Sequence, residues 1–290
     1  MTHLTRAEFL AACAGLGLTL AACSSSSGDS GAGSAPQMLP RFDSQSLLVG
    51  HQRVVVILGT QPNAESSATL AKTGPATIEA GVFDLSTGKQ LTTVTAPMYS
   101  DGLPAAYWPF ELQLDKAGSY ELRSKISGQN RTLAFSVLDR SVEHVPTVGD
   151  KLPPIDTPTV DNARGVNPIC TNQPPCPFHT KNLTDVLAAK QRVLFYVGTP
   201  AYCQTGVCGP GLQFLIDSQQ KLASDVVMIH AEVYTDNTLK TTTAAVNTLG
   251  LTFEPCLFLV GPDGVIVQRI DAVFAAADLQ NVLTANKFLA

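Results

Sequence analysis

Apolar and polar side chains alternate along residues 120–126, where Tyr120, Leu122 and Ile126 interleave with Glu121, Arg123 and Lys125. The same period of two returns at Leu133, Phe135 and Val137, after the turn-forming residues Ser127, Gly128, Gln129 and Asn130. Period two with one polar face predicts antiparallel strands packed on one side only. Residues 53–58 (RVVVIL) are instead a continuous apolar run, which suits a buried strand. No helical period stands out between residues 41 and 140, so this stretch predicts an all-β sandwich. Its aromatic group Tyr107, Trp108 and Phe110 reads as core filling. His51 and His144 stand in isolation, as surface histidines do.

From residue 183 onward the pattern changes. A short helix over 183–190 precedes an apolar strand at 192–197 (RVLFYV), and a helix over 211–223 follows. Next come a strand at 226–233 and a helical segment near 242–249. Strands at 256–260 and 265–270 are joined by Gly261, Pro262, Asp263 and Gly264, a hairpin signal, and a last helix covers 275–284. Strand and helix in alternation, closed by a hairpin, predict an α/β domain with a mixed sheet.

Composition sets the boundaries. An apolar stretch at residues 9–22 follows Arg6 and is too short for a stop-transfer helix, so it reads as an export signal. Leu20-Ala21-Ala22-Cys23 resembles the lipobox of bacterial lipoproteins, which implies that Cys23 is acylated and becomes the mature N-terminus. Residues 24–40 (SSSSGDSGAGSAPQMLP) are too poor in large apolar groups to fold and read as a tether. Pro146, Pro153, Pro154 and Pro158 interrupt residues 141–167. The expected organisation is therefore a signal at 1–22, a tether at 23–40, a β-sandwich at 41–140, a linker at 141–167 and an α/β domain at 168–290. The net charge of −5, without a basic run, speaks against a nucleic-acid partner. The expected location is outside the cytoplasm, on the cell membrane through the lipid.

Of the seven cysteines, Cys13 lies in the signal and Cys23 follows it; the other five fall in the last segment: Cys170, Cys176, Cys203, Cys208 and Cys256. Cys203 follows the strand at 192–197, and Cys208 stands just before a helix that Pro210 can start. A four-residue loop between them can close a disulfide, and a helix N-terminus favours a thiolate. Cys203 is assigned the attacking role and Cys208 the partner role, with a permanent staple as the opposing reading. Cys170 and Cys176 enclose TNQPP, with His179 close behind. Zinc would need four ligands and only three are local, so a structural disulfide is preferred and no metal or other cofactor is assigned. Cys256 is left as the odd thiol, an accessory candidate beside Pro255.

Residues 182–203 (NLTDVLAAKQRVLFYVGTPAYC) and 253–273 (FEPCLFLVGPDGVIVQRIDAV) resemble the lead-in helix, central strand, cysteine loop and closing hairpin of the thioredoxin-like superfamily. The resemblance implies a cis peptide before Pro255, facing the active thiols, and thiol–disulfide exchange with extracytoplasmic protein thiols or disulfides as partners. Four departures bear on activity. Gly211 stands where the second cysteine of Cys-Gly-Pro-Cys belongs, Tyr202 replaces the tryptophan before the first cysteine, and 193–197 carry no buried carboxylate. Glu254 precedes the proline in place of an apolar residue. Residues 115–120 (DKAGSY) resemble the tyrosine corner of immunoglobulin-like domains. The alternatives are a redox-silent thioredoxin-fold binding or structural lipoprotein, and a copper-binding protein of the Sco type using Cys203, Cys208 and His230.

Overall fold

The computed structural model describes residues 36–41, 47–60, 68–142 and 144–290. Cys23 and the segment before it lie outside the described residues. Among the described residues the chain is mostly β-sheet, arranged in three sheets. The first part holds β1 (Gln37–Pro40), β2 (Leu47–Leu48), β3 (Gly50–Thr60), β4 (Thr69–Leu70), β5 (Thr77–Asp84), β6 (Gln90–Pro97), β7 (Tyr107–Leu114), β8 (Gly118–Ile126) and β9 (Gln129–Leu138). In one sheet β1, β4 and β7 all pair antiparallel with β3. The other runs β2–β9–β8–β5–β6.

The alternation seen at 120–126 is used as expected: Tyr120, Leu122 and Ile126 are buried, while Arg123 is exposed. They meet Val54, Val56, Trp108 and Phe110 from the opposing sheet in one core. Each such side chain contributes roughly 1.5–3 kcal/mol by leaving water. Trp108 also donates its indole N–H to the Pro75 carbonyl at 3.0 Å, which spares it an unmet polar group. The chain crosses between the sheets at residues 115–117, from β7 to β8. There Tyr120 Oη donates to the Lys116 carbonyl at 2.7 Å, which fastens the crossing. Residues 37–40, expected in the tether, instead form β1, because Met38 is buried in the core and the strand pairs with residues 56–59 of β3.

The second part holds α1 (Leu183–Ala188), β10 (Arg192–Val197), α2 (Cys208–Ser218), β11 (Val226–Ala231), α3 (Ala244–Leu249), β12 (Cys256–Val260), β13 (Ile266–Asp271) and α4 (Ala276–Ala285). Its sheet has the order β11–β10–β12–β13. The β10–β11 pair is parallel, and β12 pairs antiparallel with both β10 and β13, so the sheet is mixed. Helix α2 starts at Cys208, three residues earlier than expected. Pro210 sits within its first turn, where a missing N–H leaves no helical bond unmade.

The described residues of 141–167 contain no helix or strand but are not a free linker. Val145, Leu152 and Ile155 are buried in the core of the second part. Leu152 N–H donates to the Gly264 carbonyl and Ile266 N–H to that of Asp150, both at 2.9 Å. Buried Arg269 donates to the carbonyls of Val145 and Pro146 and pairs with Asp271. Backbone groups that prolines leave out of regular structure are thus satisfied against the β12–β13 hairpin.

The two parts meet over a mixed interface. Val55, Ile57 and Tyr107 from the first pack against Val207, Val273 and Ala275 from the second. At its centre Arg53 forms a buried ion pair with Asp278 in the first turn of α4. Tyr107 Oη donates to the same carboxylate at 2.6 Å and accepts from Ala275 N–H at 2.8 Å. Tyr107 therefore serves the interface, whereas Trp108 and Phe110 fill the sandwich core.

Candidate functional site

Strand β10 ends at Val197, and the loop that leaves it returns to start α2. Cys203 and Cys208, at the two ends of the return, form a disulfide with Cα atoms 5.9 Å apart. Gly206, at φ +67°, provides the left-handed turn between them. The Cys208 N–H donates to Cys203 Sγ at 3.3 Å, so an amide at the helix start faces the first sulfur. Cys203 is half-buried and lies 3.3 Å from Thr205 Oγ1, while Cys208 is fully buried. Tyr196 Oη donates to the Cys208 carbonyl at 2.7 Å from below.

Gly211, three residues after Cys208, is closely packed. A Cβ at this position would stand 3.1 Å from Tyr196 Oη and 3.2 Å from the Phe274 ring. The position where Cys-Gly-Pro-Cys has its second thiol is thus crowded. Cys203, five residues before Cys208, pairs with it instead.

Glu254 brings a buried carboxyl within 4.8 Å of both sulfurs. Its Oε2 accepts from Thr199 N–H at 2.5 Å. Burial pushes its pKa up to about 8, with the negative field of Glu232 adding to the shift and the Thr199 bond and His230 opposing it. The sequence showed no acid on β10, and none is there. The acid enters from the other side, on the residue before Pro255, where Glu254 had registered as a departure. The Glu254–Pro255 peptide is cis, as expected. The Pro255 carbonyl accepts from Ala272 N–H at 2.9 Å, so it is already engaged within the fold.

Cys256 does not join this group. It is fully buried, its thiol donates to Asp271 Oδ1 at 3.1 Å, and burial pushes its pKa well up. That placement argues against the accessory role, although Cys256 is indeed a free thiol.

The expected Cys170–Cys176 disulfide is not formed: both are free thiols. The reason is the company they keep. Residues 168–182 lie along the sheet edge at β11, where His230 N–H donates to the Phe178 carbonyl at 3.3 Å. This brings His230 of β11 to the sulfurs, with Nδ1 at 3.4 Å from Cys176 Sγ and 3.9 Å from Cys170 Sγ. His179 Nε2 stands 3.2 Å from the same Nδ1. The Cys176 thiol's hydrogen bond to Cys170 lowers the pKa of Cys170, helped by both imidazoles. His230 is therefore committed to Cys170 and Cys176, and the copper arrangement that would pair it with Cys203 and Cys208 is not assembled. No helix among the described residues is long and apolar enough to cross a membrane. No protein-family model matches the chain, and no curated protein or solved structure matches it either.

Proposed function

We propose that the protein is a lipid-anchored, extracytoplasmic thiol–disulfide exchange protein in which a thioredoxin-like domain works beside an immunoglobulin-like sandwich. The observation that carries the reading is the Cys203–Cys208 disulfide at the junction of strand and helix, with the buried acid Glu254 beside it. The order β10, α2, β11, β12, β13 with a cis bond before Pro255 supports the thioredoxin-like assignment. Two facing sheets and the Tyr120–Lys116 bond support the immunoglobulin-like one. The lipid anchor rests on Leu20 to Cys23 alone.

In the reducing direction the Cys203 thiolate attacks one sulfur of a substrate disulfide. A mixed disulfide forms and the substrate's other sulfur leaves as a thiolate, which takes up a proton. Glu254 in its carboxylate form then takes the proton of Cys208. The Cys208 thiolate attacks Cys203 Sγ, closing Cys203–Cys208 and releasing the second substrate thiol. Two electrons pass from the protein's dithiol to the substrate disulfide. The reverse sequence oxidises a substrate dithiol. Cys203 has the attacking role because it is the more exposed sulfur and Cys208 is fully buried.

The test is trapping. Cys208→Ser should accumulate mixed disulfides with partner proteins through Cys203, because the resolving thiol is gone. Cys203→Ser should trap few. The opposite pattern would move the attack to Cys208. Absence of trapping by either variant would favour a redox-silent binding protein, a reading supported by the packing of Cys203 against the cluster that Val55, Ile57 and Tyr107 share with Val207, Val273 and Ala275.

A further inference from the structure

We propose that Cys170, Cys176, His179 and His230 form a closed, four-coordinate zinc site that pins residues 168–182 to the β11 edge. Each residue offers one ligand atom, and the four atoms all lie within 4.8 Å of one another. All four side chains are buried, at 6 % exposure or less.

The three spacings from His230 Nδ1 are close to the edges of a tetrahedron about zinc. Bonds of about 2.0–2.1 Å to nitrogen and about 2.3 Å to sulfur give edges of about 3.3 Å between nitrogens and about 3.6 Å between nitrogen and sulfur. The observed separations from His230 Nδ1 are 3.2 Å to His179 Nε2, 3.4 Å to Cys176 Sγ and 3.9 Å to Cys170 Sγ. Two thiolates and two imidazoles with no open position are the donor set of a structural zinc site.

The hydrogen-bond inventory points the same way. His230 Nε2 lies 2.8 Å from the Gly198 carbonyl, an acceptor that requires the proton on Nε2. In the neutral ring, Nδ1 then carries a lone pair aimed into the cluster, which is the tautomer a metal-binding histidine needs. That single lone pair faces two thiols and a second imidazole, more groups than one hydrogen bond can serve. A central cation would use one lone pair from each residue. The Cys176 N–H donates to Cys170 Sγ at 3.3 Å, a bond that supports a metal-bound thiolate.

Cys170 and Cys176 lie in one short loop, whereas His230 is 54 residues beyond Cys176. A zinc ion there would act as a staple between loop and sheet. The site is separate from the Cys203–Cys208 pair, so it stands or falls independently of the exchange activity.

The test uses the purified full chain, with thiols kept reduced, and zinc(II) or cobalt(II) as the probe. The expected result is one zinc per chain retained through gel filtration. Cobalt(II) should give the intense visible absorption of a tetrahedral thiolate complex. Bound zinc should also shield Cys170 and Cys176 from alkylation until a chelator is added. His179→Asn should weaken zinc binding at least about tenfold, while Cys203→Ser/Cys208→Ser should keep the full stoichiometry. If His179→Asn does not fold, the alkylation pattern of the unaltered chain decides. The proposal is overturned by a chain that holds no stoichiometric zinc and only octahedral cobalt. It is equally overturned if Cys170 and Cys176 are recovered bonded to each other from protein isolated without reductant.

Discussion

Glu254 is the residue whose chemistry most exceeds its local sequence. With its pKa raised to about 8, it is neutral in the folded state across a range where an unfolded glutamate has already lost its proton. The folded chain then binds the extra proton between about pH 4.5 and pH 8. Glu254 therefore opposes folding increasingly as pH rises through that window, by up to about 1.4 kcal/mol per pH unit. The groups that share its field are Glu232, His230 and Tyr196. Glu254→Gln should flatten the fall in stability toward pH 8, measured by urea titration at several pH values. The same variant should slow reduction of a model disulfide by at least about tenfold and remove an inflection near pH 8 from the rate profile. An unchanged profile would leave Glu254 a packing residue. Its role was hard to read because a carboxyl before a proline has no meaning until folding brings residue 254 against residues 203 and 208. His230 was similarly hidden: in VVMIHA it reads as a core position, and its partners lie 51 to 60 residues earlier.

At the scale of elements, local pattern and fold agree where burial is one-sided or continuous. RVLFYV becomes β10 with the bounds expected, and the Gly261 to Gly264 turn joins β12 to β13. The Tyr120–Lys116 bond was legible from six residues because it is local. Tyr120→Phe removes only that phenol, and should cost about 1 kcal/mol of stability, read as a lower denaturant midpoint with an unchanged slope. Residues 141–167 were misread for a physical reason. Prolines exclude helix and strand, but they do not exclude packing, and Val145, Leu152 and Ile155 supply enough apolar surface to hold the segment on the hairpin edge. The sequence pattern places the start of α2 at residue 211, although Pro210 can start a helix, and the first turn in fact begins at Cys208. The helix accommodates Pro210 in its first turn.

Across the whole molecule, the β-sandwich is a neighbour of the cysteine loop rather than a distant spacer. Arg53 hid inside an apolar strand, and its partner Asp278 lies 225 residues away, so only the fold reveals the pair. Asp278→Ala would take the buried carboxylate from Arg53, which keeps Glu111 at 3.4 Å from its Nε, and should cost roughly 3 kcal/mol. Replacing both, as Arg53→Met/Asp278→Leu, should recover most of that loss in a thermal or chemical melt. A loss no larger than that of a surface substitution would mean the two parts do not dock as described. If the proposed lipid anchor is at Cys23, Cys23→Ala should release the chain to the soluble fraction. Firm retention of that variant would contradict lipid attachment at Cys23.

The central claim is that Cys203–Cys208 is a working bridge, and its reduction potential tests this most directly. The purified chain would be equilibrated in dithiothreitol or glutathione buffers of graded potential, alkylated, and read cysteine by cysteine by mass spectrometry. A working pair should reduce well above about −300 mV, near the range of known exchange proteins, with Cys256 free throughout. A bridge that stays closed until below about −300 mV would be a permanent staple, and the exchange function would be contradicted.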